Sequence, residues 1–158
     1  MSRSWALDYY TQDCTIGAAL DIVGEKWTFL VLREAFNGIR RFEDMQHRTR
    51  APRQVLSDRL SRLVREGILS KVPYQEAGQR ARGEYRLTDK GLDLFPVITA
   101  LLGWGNKHAA GSDGPLVLLE HRDCGAPVRL QLACADGHTL ASAREVTPVP
   151  GPGARSIA

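Results

Sequence analysis

From Arg53 to Leu87 the chain reads RQVLSDRLSRLVREGILSKVPYQEAGQRARGEYRL, and its apolar pattern changes period once. Leu56, Leu60 and Leu63 recur at three-to-four spacing, with Val64 beside them, which is one face of a helix. Past Glu66-Gly67 the chain reads as extended: ILSKVPY, a turn-rich basic connection QEAGQRAR, then GEYRL with Tyr85 and Leu87 on one side. A helix predicted from Pro52 to Glu66 therefore leads straight into a hairpin with a basic tip.

The flanking segments are helical. CTIGAALDIVGEK places Ile16, Ala19, Leu20 and Val23 at helical spacing, and Gly24 ends the run. EKWTFLVLREAF sets Trp27, Leu30, Val31, Glu34 and Ala35 on one buried face from about Glu25 to Phe36, with a break at Asn37-Gly38. A short third helix turns Phe42 and Met45 inward and leaves Glu43, Asp44 and Gln46 wet. Thr49 is a candidate cap for the next helix, and Pro52 suits its first turn. After the hairpin, Thr88-Asp89-Lys90 caps a last helix carrying Leu92, Phe95, Ile98, Leu102 and Trp104; Pro96 inside it predicts a kink or a short first segment.

The charge is uneven. The chain carries a net +3, yet residues 40 to 90 hold thirteen basic and seven acidic side chains, a net of +6. Such a concentration suits a polyanionic partner, although a solvated surface of mixed charge is the plainer reading. At 158 residues, 43% hydrophobic and 25% charged, the composition is that of about one globular domain. No apolar run reaches ~18 residues, and the N-terminus lacks an apolar signal core, so a cytoplasmic protein with no membrane partner is expected.

The order of four helices, a hairpin and a helix contains a helix-turn-helix followed by a wing. The expected fold class is mainly α with a small β wing, a winged helix-turn-helix, plus a short β-like C-terminal extension. The helix from Pro52 would enter a major groove ~12 Å wide. Arg53, Gln54, Ser57 and Asp58 would lie near base edges, and Arg50 and Arg62 near phosphate. Gln79, Arg80 and Arg82 at the hairpin tip would reach the backbone or a minor groove. The plainer reading of each is a solvated or paired side chain: Arg59 and Arg65 snorkelling or paired with acids, Asp58 paired with Arg62. Leu20, Phe95, Ile98, Leu102 and Trp104 offer more apolar surface than one small core needs; a second copy would cover it, or the first two helices would.

CTIGAALDIVGEKWTFLVLREAFNGIRRFEDM, VLSDRLSRLVREGIL and EYRLTDKGLDLFPVITALLGWG closely resemble the HxlR-type bacterial transcription regulators, a winged-helix group allied to the MarR and ArsR repressors. The resemblance covers about Cys14 to Trp104. It implies a homodimeric, sequence-specific DNA-binding regulator under small-molecule or redox control, bound to a palindromic operator with half-sites ~34 Å apart. It also implies that the terminal helices pair the subunits and that Gly24, Lys26 and Trp27 are structural. Some members sense oxidants through an N-terminal cysteine, and Cys14 occupies that position; the alternative is a buried structural thiol. The rival function is a winged-helix protein-interaction module that reads no DNA.

The expected organisation is an arm over 1–13, the winged helix-turn-helix and dimerisation domain over 14–108, a linker over 109–114, a β-rich extension over 115–147 and a loose tail over 148–158. In the extension, PLVLLEHR, APVRLQLAC and HTLASAREV are short and β-like. His121, Cys124, Cys134 and His138 are spaced H-x2-C-x9-C-x3-H, with knuckle turns at Gly125 and Gly137, a set that suits zinc. Longer relatives look as if they carry a zinc-ribbon-like tail here, with the second pair spelled CxxCG; this chain has CADGH, so Asp136 or His138 would have to serve as the fourth ligand. Two other readings stay open: surface histidines with thiols packed as small hydrophobes, or a Cys124–Cys134 disulfide, which a reducing compartment disfavours. Zinc is the one candidate cofactor. No Ser-His-Asp order, Gly-rich phosphate loop or HExxH is present, so no enzyme is expected.

Overall fold

The computed structural model describes residues 14–75, 77–78 and 82–155. They fall into two units. One is Ala19–Leu116; the other joins the described residues 14–18 to 117–155.

The larger unit is helical around a small sheet. Helix α1 spans Thr15–Val23, α2 Lys26–Phe36, α3 Phe42–Thr49 and α4 Arg53–Arg65. Strands β1 (Leu69–Tyr74) and β2 (Arg82–Leu87) pair antiparallel, with Leu69 opposite Leu87 and Tyr74 opposite Arg82. Arg41 bridges Glu84, and the Tyr85 N–H donates to the Arg40 carbonyl at 2.8 Å, so the chain entering α3 lies along the outer side of β2. Helices α5 (Asp89–Leu92) and α6 (Phe95–His108) follow. The expected break before Pro96 is present, with Pro96 in the first turn of α6, where its missing N–H costs nothing. Thr88 caps α5: its hydroxyl accepts from the Gly91 N–H at 3.1 Å.

The core follows the predicted period in α4, whereas in α2 it buries Leu32 and Thr28 and leaves the expected Trp27 and Leu30 half-buried, and in α1 it takes Val23 but not Ile16 or Leu20. Val31 and Leu32 of α2, Met45 of α3, Leu56, Leu60 and Leu63 of α4, Ile68, and Leu69 of β1 are all at most 2% exposed. Tyr85 of β2 closes this core, as its side of the strand predicts. Two helices end the same way. The Ile68 N–H reaches the Leu63 carbonyl and Gly67 N–H the Val64 carbonyl; Ile39 and Gly38 repeat the pattern on Glu34 and Ala35. Such an ending needs a left-handed residue, and glycine supplies it at φ 69° for Gly67 and 79° for Gly38.

Two local expectations are corrected. Thr49 does not cap α4; it is the last residue of α3, and its buried hydroxyl donates to the Met45 carbonyl at 2.7 Å. Gln46 is half-buried rather than wet. The three β-like runs of the extension yield only β3 (Leu132–Ala133) paired with β4 (Thr139–Leu140), a Glu120–Pro127 bridge and a 3-10 turn at Ala143–Glu145.

Candidate nucleic-acid interface

The turn between α3 and α4 sets the geometry. Thr49 Oγ1 accepts from the Ala51 N–H at 3.3 Å, and Ala51 is 3% exposed. Arg50 takes a left-handed conformation, φ 56°, the one described non-glycine residue to do so. That choice, uncommon for a residue bearing a Cβ, turns the chain within three residues and leaves the Arg50 side chain in solvent.

An open concavity of about 680 Å³ lies between these two helices and the hairpin. Arg53, Gln54 and Ser57 line it from α4, and Arg82 from β2. Phe42 and Tyr85 form its apolar wall. The Arg53 guanidinium stacks on the Phe42 ring at 4.7 Å, and the Gln54 amide donates to Asp58 at 2.9 Å. Two charged lining residues, Lys71 and Glu43, were not among the expected DNA contacts. Lys71 was legible in principle: it pairs with Tyr85 across the hairpin and therefore shares its face.

Other predicted residues lie elsewhere. Arg62 turns away from the concavity and donates from Nη2 to the Asp21 carbonyl of α1. Asp58 receives its hydrogen bond from Gln54, four residues before it. Arg59 pairs with Glu25 at 2.8 Å, as the plainer reading held. Gln79 and Arg80 lie outside the described residues.

Among the apolar candidates, Leu20, Phe95 and Trp104 are 54%, 43% and 62% exposed. Ile98 is partly buried against the unit's own core, and Leu102 is half-buried. Val97 and Leu101 join the exposed set. Cys14, one residue before α1, is an exposed free thiol, which removes the buried-thiol reading. In the smaller unit, ligand atoms of Cys134, Asp136 and His138 lie within 4.8 Å of one another, a cluster that could chelate a metal such as zinc.

A helix-turn-helix whose second helix faces a concavity shared with a two-stranded wing defines the winged helix-turn-helix class. The chain belongs to the HxlR-like helix-turn-helix family, whose model matches residues 22–113. It is 44% identical over 139 residues to the HTH-type transcriptional regulator Rv3095 of Mycobacterium tuberculosis, covering 88% of this chain and 87% of that protein. The crystal structure of PA1607, a candidate transcription factor, superposes with a TM-score of 0.77 at 37% identity, over 89% of this chain and 98% of that one. PA1374 from Pseudomonas aeruginosa gives 0.61 at 36% identity, over 90% and 95%. The family is one of transcriptional regulators and not of enzymes. Among the described residues, no helix is long and apolar enough to cross a membrane.

Proposed function

We propose that the protein is a homodimeric transcriptional regulator that reads double-stranded DNA by placing α4 in the major groove, under the control of a small molecule or a redox signal. The observation that carries this is the lining of the concavity: three cations, Arg53, Lys71 and Arg82, and two hydrogen-bonding side chains, Gln54 and Ser57, against one acid, Glu43. Cations on a wing and at the start of an outward helix suit the phosphates and base edges of one groove. The exposed Phe95, Val97, Leu101 and Trp104 support a second copy as the other partner, because so much apolar surface on one short helix is costly in water. For redox control the candidate is Cys14, whose thiol is open to solvent.

Binding to the protein's own upstream DNA, titrated against salt, tests the reading. A reader of phosphates loses affinity steeply as salt rises. Arg82→Ala should weaken binding to all sequences alike and reduce the salt slope by about one. Arg53→Ala should relax specificity at one base position, by ~1–3 kcal/mol. An affinity indifferent to salt and sequence overturns the proposal in favour of a protein-interaction module.

A further inference from the structure

We propose that the loop between β3 and β4 binds one zinc ion through Cys134, Asp136 and His138, with the fourth corner of the tetrahedron open to water. The surrounding segment gives little else to hold it together. From Val117 onward no described residue is buried, and its strands are two residues long. Segments of about 40 residues rarely build a sufficient core and are commonly held by disulfides, metals or association.

The register of the hairpin brings the three side chains to one place. Leu132 lies opposite Leu140, and Ala133 opposite Thr139. The next pair in that register is Cys134 and His138, and the Cys134 N–H donates to the His138 carbonyl at 3.0 Å. Side chains directly opposite on an antiparallel pair share a face, and Cys134 Sγ meets His138 Nδ1 at 3.4 Å. Ala135, Asp136 and Gly137 close the loop. Gly137 takes the left-handed position, φ 83°, and its N–H donates to the Cys134 carbonyl at 2.9 Å. Asp136 stands between the two, and a carboxylate oxygen, the sulfur and a ring nitrogen all lie within 4.8 Å of one another.

This donor set suits zinc. With Zn–S near 2.3 Å and Zn–N near 2.0–2.1 Å, a tetrahedral ion separates sulfur from nitrogen by about 3.6 Å. The Cys134–His138 edge therefore needs almost no adjustment, and a turn of the exposed Asp136 side chain closes any remaining gap. On binding, the Cys134 thiol loses its proton to solvent and His138 coordinates as the neutral imidazole. Thiolate and carboxylate together then balance the charge of the ion. A thiol against an imidazole is by itself only a hydrogen bond. Cys124 Sγ lies 3.3 Å from His121 Nδ1 in another turn, yet among the described residues that pair has no third ligand within reach. The third donor is what sets the Cys134 loop apart. Three protein donors and an exposed fourth position make an exchangeable site, unlike a closed site of four protein ligands.

The test uses the full chain, reduced with a phosphine so that no added thiol competes for metal. Zinc affinity is read by competition with a chromophoric chelator, and Co²⁺ is the probe for absorption spectroscopy. One ion per chain is expected, with charge transfer from a single thiolate. Cys134→Ser and His138→Gln should each weaken zinc binding by more than about 100-fold, beyond what loss of a supporting residue costs, and Asp136→Asn by at least about 10-fold. Asp136→Asn keeps the shape of the side chain, so its loss of affinity is distinguished from misfolding of the loop. The Cys14→Ser/Cys124→Ser double variant, which keeps Cys134 as its sole cysteine, should bind both ions as the wild type does. Wild-type protein that takes up neither metal overturns the proposal. So does a double variant without the charge-transfer band, or Asp136→Asn with unchanged affinity, because the ligands would then be a different set.

Discussion

Glu34 is 1% exposed and is held by two arginines on different helices. Arg33 donates to Oε1 from Nε at 2.8 Å and from Nη2 at 2.5 Å, and Arg48 of α3 donates to Oε2. The carboxylate therefore fastens α3 to α2. Arg48→Ala leaves one buried oxygen without its donor and should lower the unfolding free energy by about 1–3 kcal/mol, read from the urea midpoint. Glu34→Leu should restore part of that loss in the Arg48→Ala background, since no buried charge then remains unpaired. A midpoint that Arg48→Ala does not move would remove the ion pair from the packing. The spacing of α2 already puts Glu34 on the buried face with Val31 and Ala35, so its burial was legible in the sequence. Its partner was not, because Arg48 lies fourteen residues away and meets it only through the placement of α3. Arg62 shows the same limit: its helical position is readable, whereas its carbonyl partner on α1 is a tertiary fact.

Among the elements, α6 presents a large apolar surface that asks for a partner, as α1 does at Ile16 and Leu20. Phe95 packs its ring near Phe36 of α2, with centroids 5.5 Å apart, yet remains 43% exposed, and Trp104 is 62% exposed. Leu101, half in solvent, is the cleaner position to disturb, because Leu102 and Ile98 also serve the unit's own packing. Leu101→Asp should convert a dimer to a monomer in sedimentation without lowering helix content; an unchanged mass would exclude this face from the contact. The helices were readable because each carries its own signals, such as the Thr88 cap, the Pro96 break and the leucine period of α4. The β-like runs of the extension pair through strands only two residues long. A strand forms where a partner and a buried face await it, and apolar alternation alone supplies neither.

At the scale of the whole molecule, every buried hydrophobic residue among those described lies between Val23 and Tyr85, inside the Ala19–Leu116 unit. A chain ending at Leu116 should therefore retain the helical signal and a cooperative melt in circular dichroism. A melt that loses cooperativity would mean the C-terminal unit contributes to the core. The winged arrangement and most of the basic face followed from period and charge. Glu43 did not stand out as part of that face, because its place depends on how α3 meets α4. The contacts of α4 on the side away from the concavity have a mechanical consequence. Arg62 holds the Asp21 carbonyl and Arg59 holds Glu25, so α4 is moored at two points to the end of α1 and the start of α2. Each mooring is worth on the order of 1 kcal/mol, above the thermal energy of about 0.6 kcal/mol. A displacement of the end of α1 or the start of α2 therefore either breaks these contacts or is shared by the outward helix.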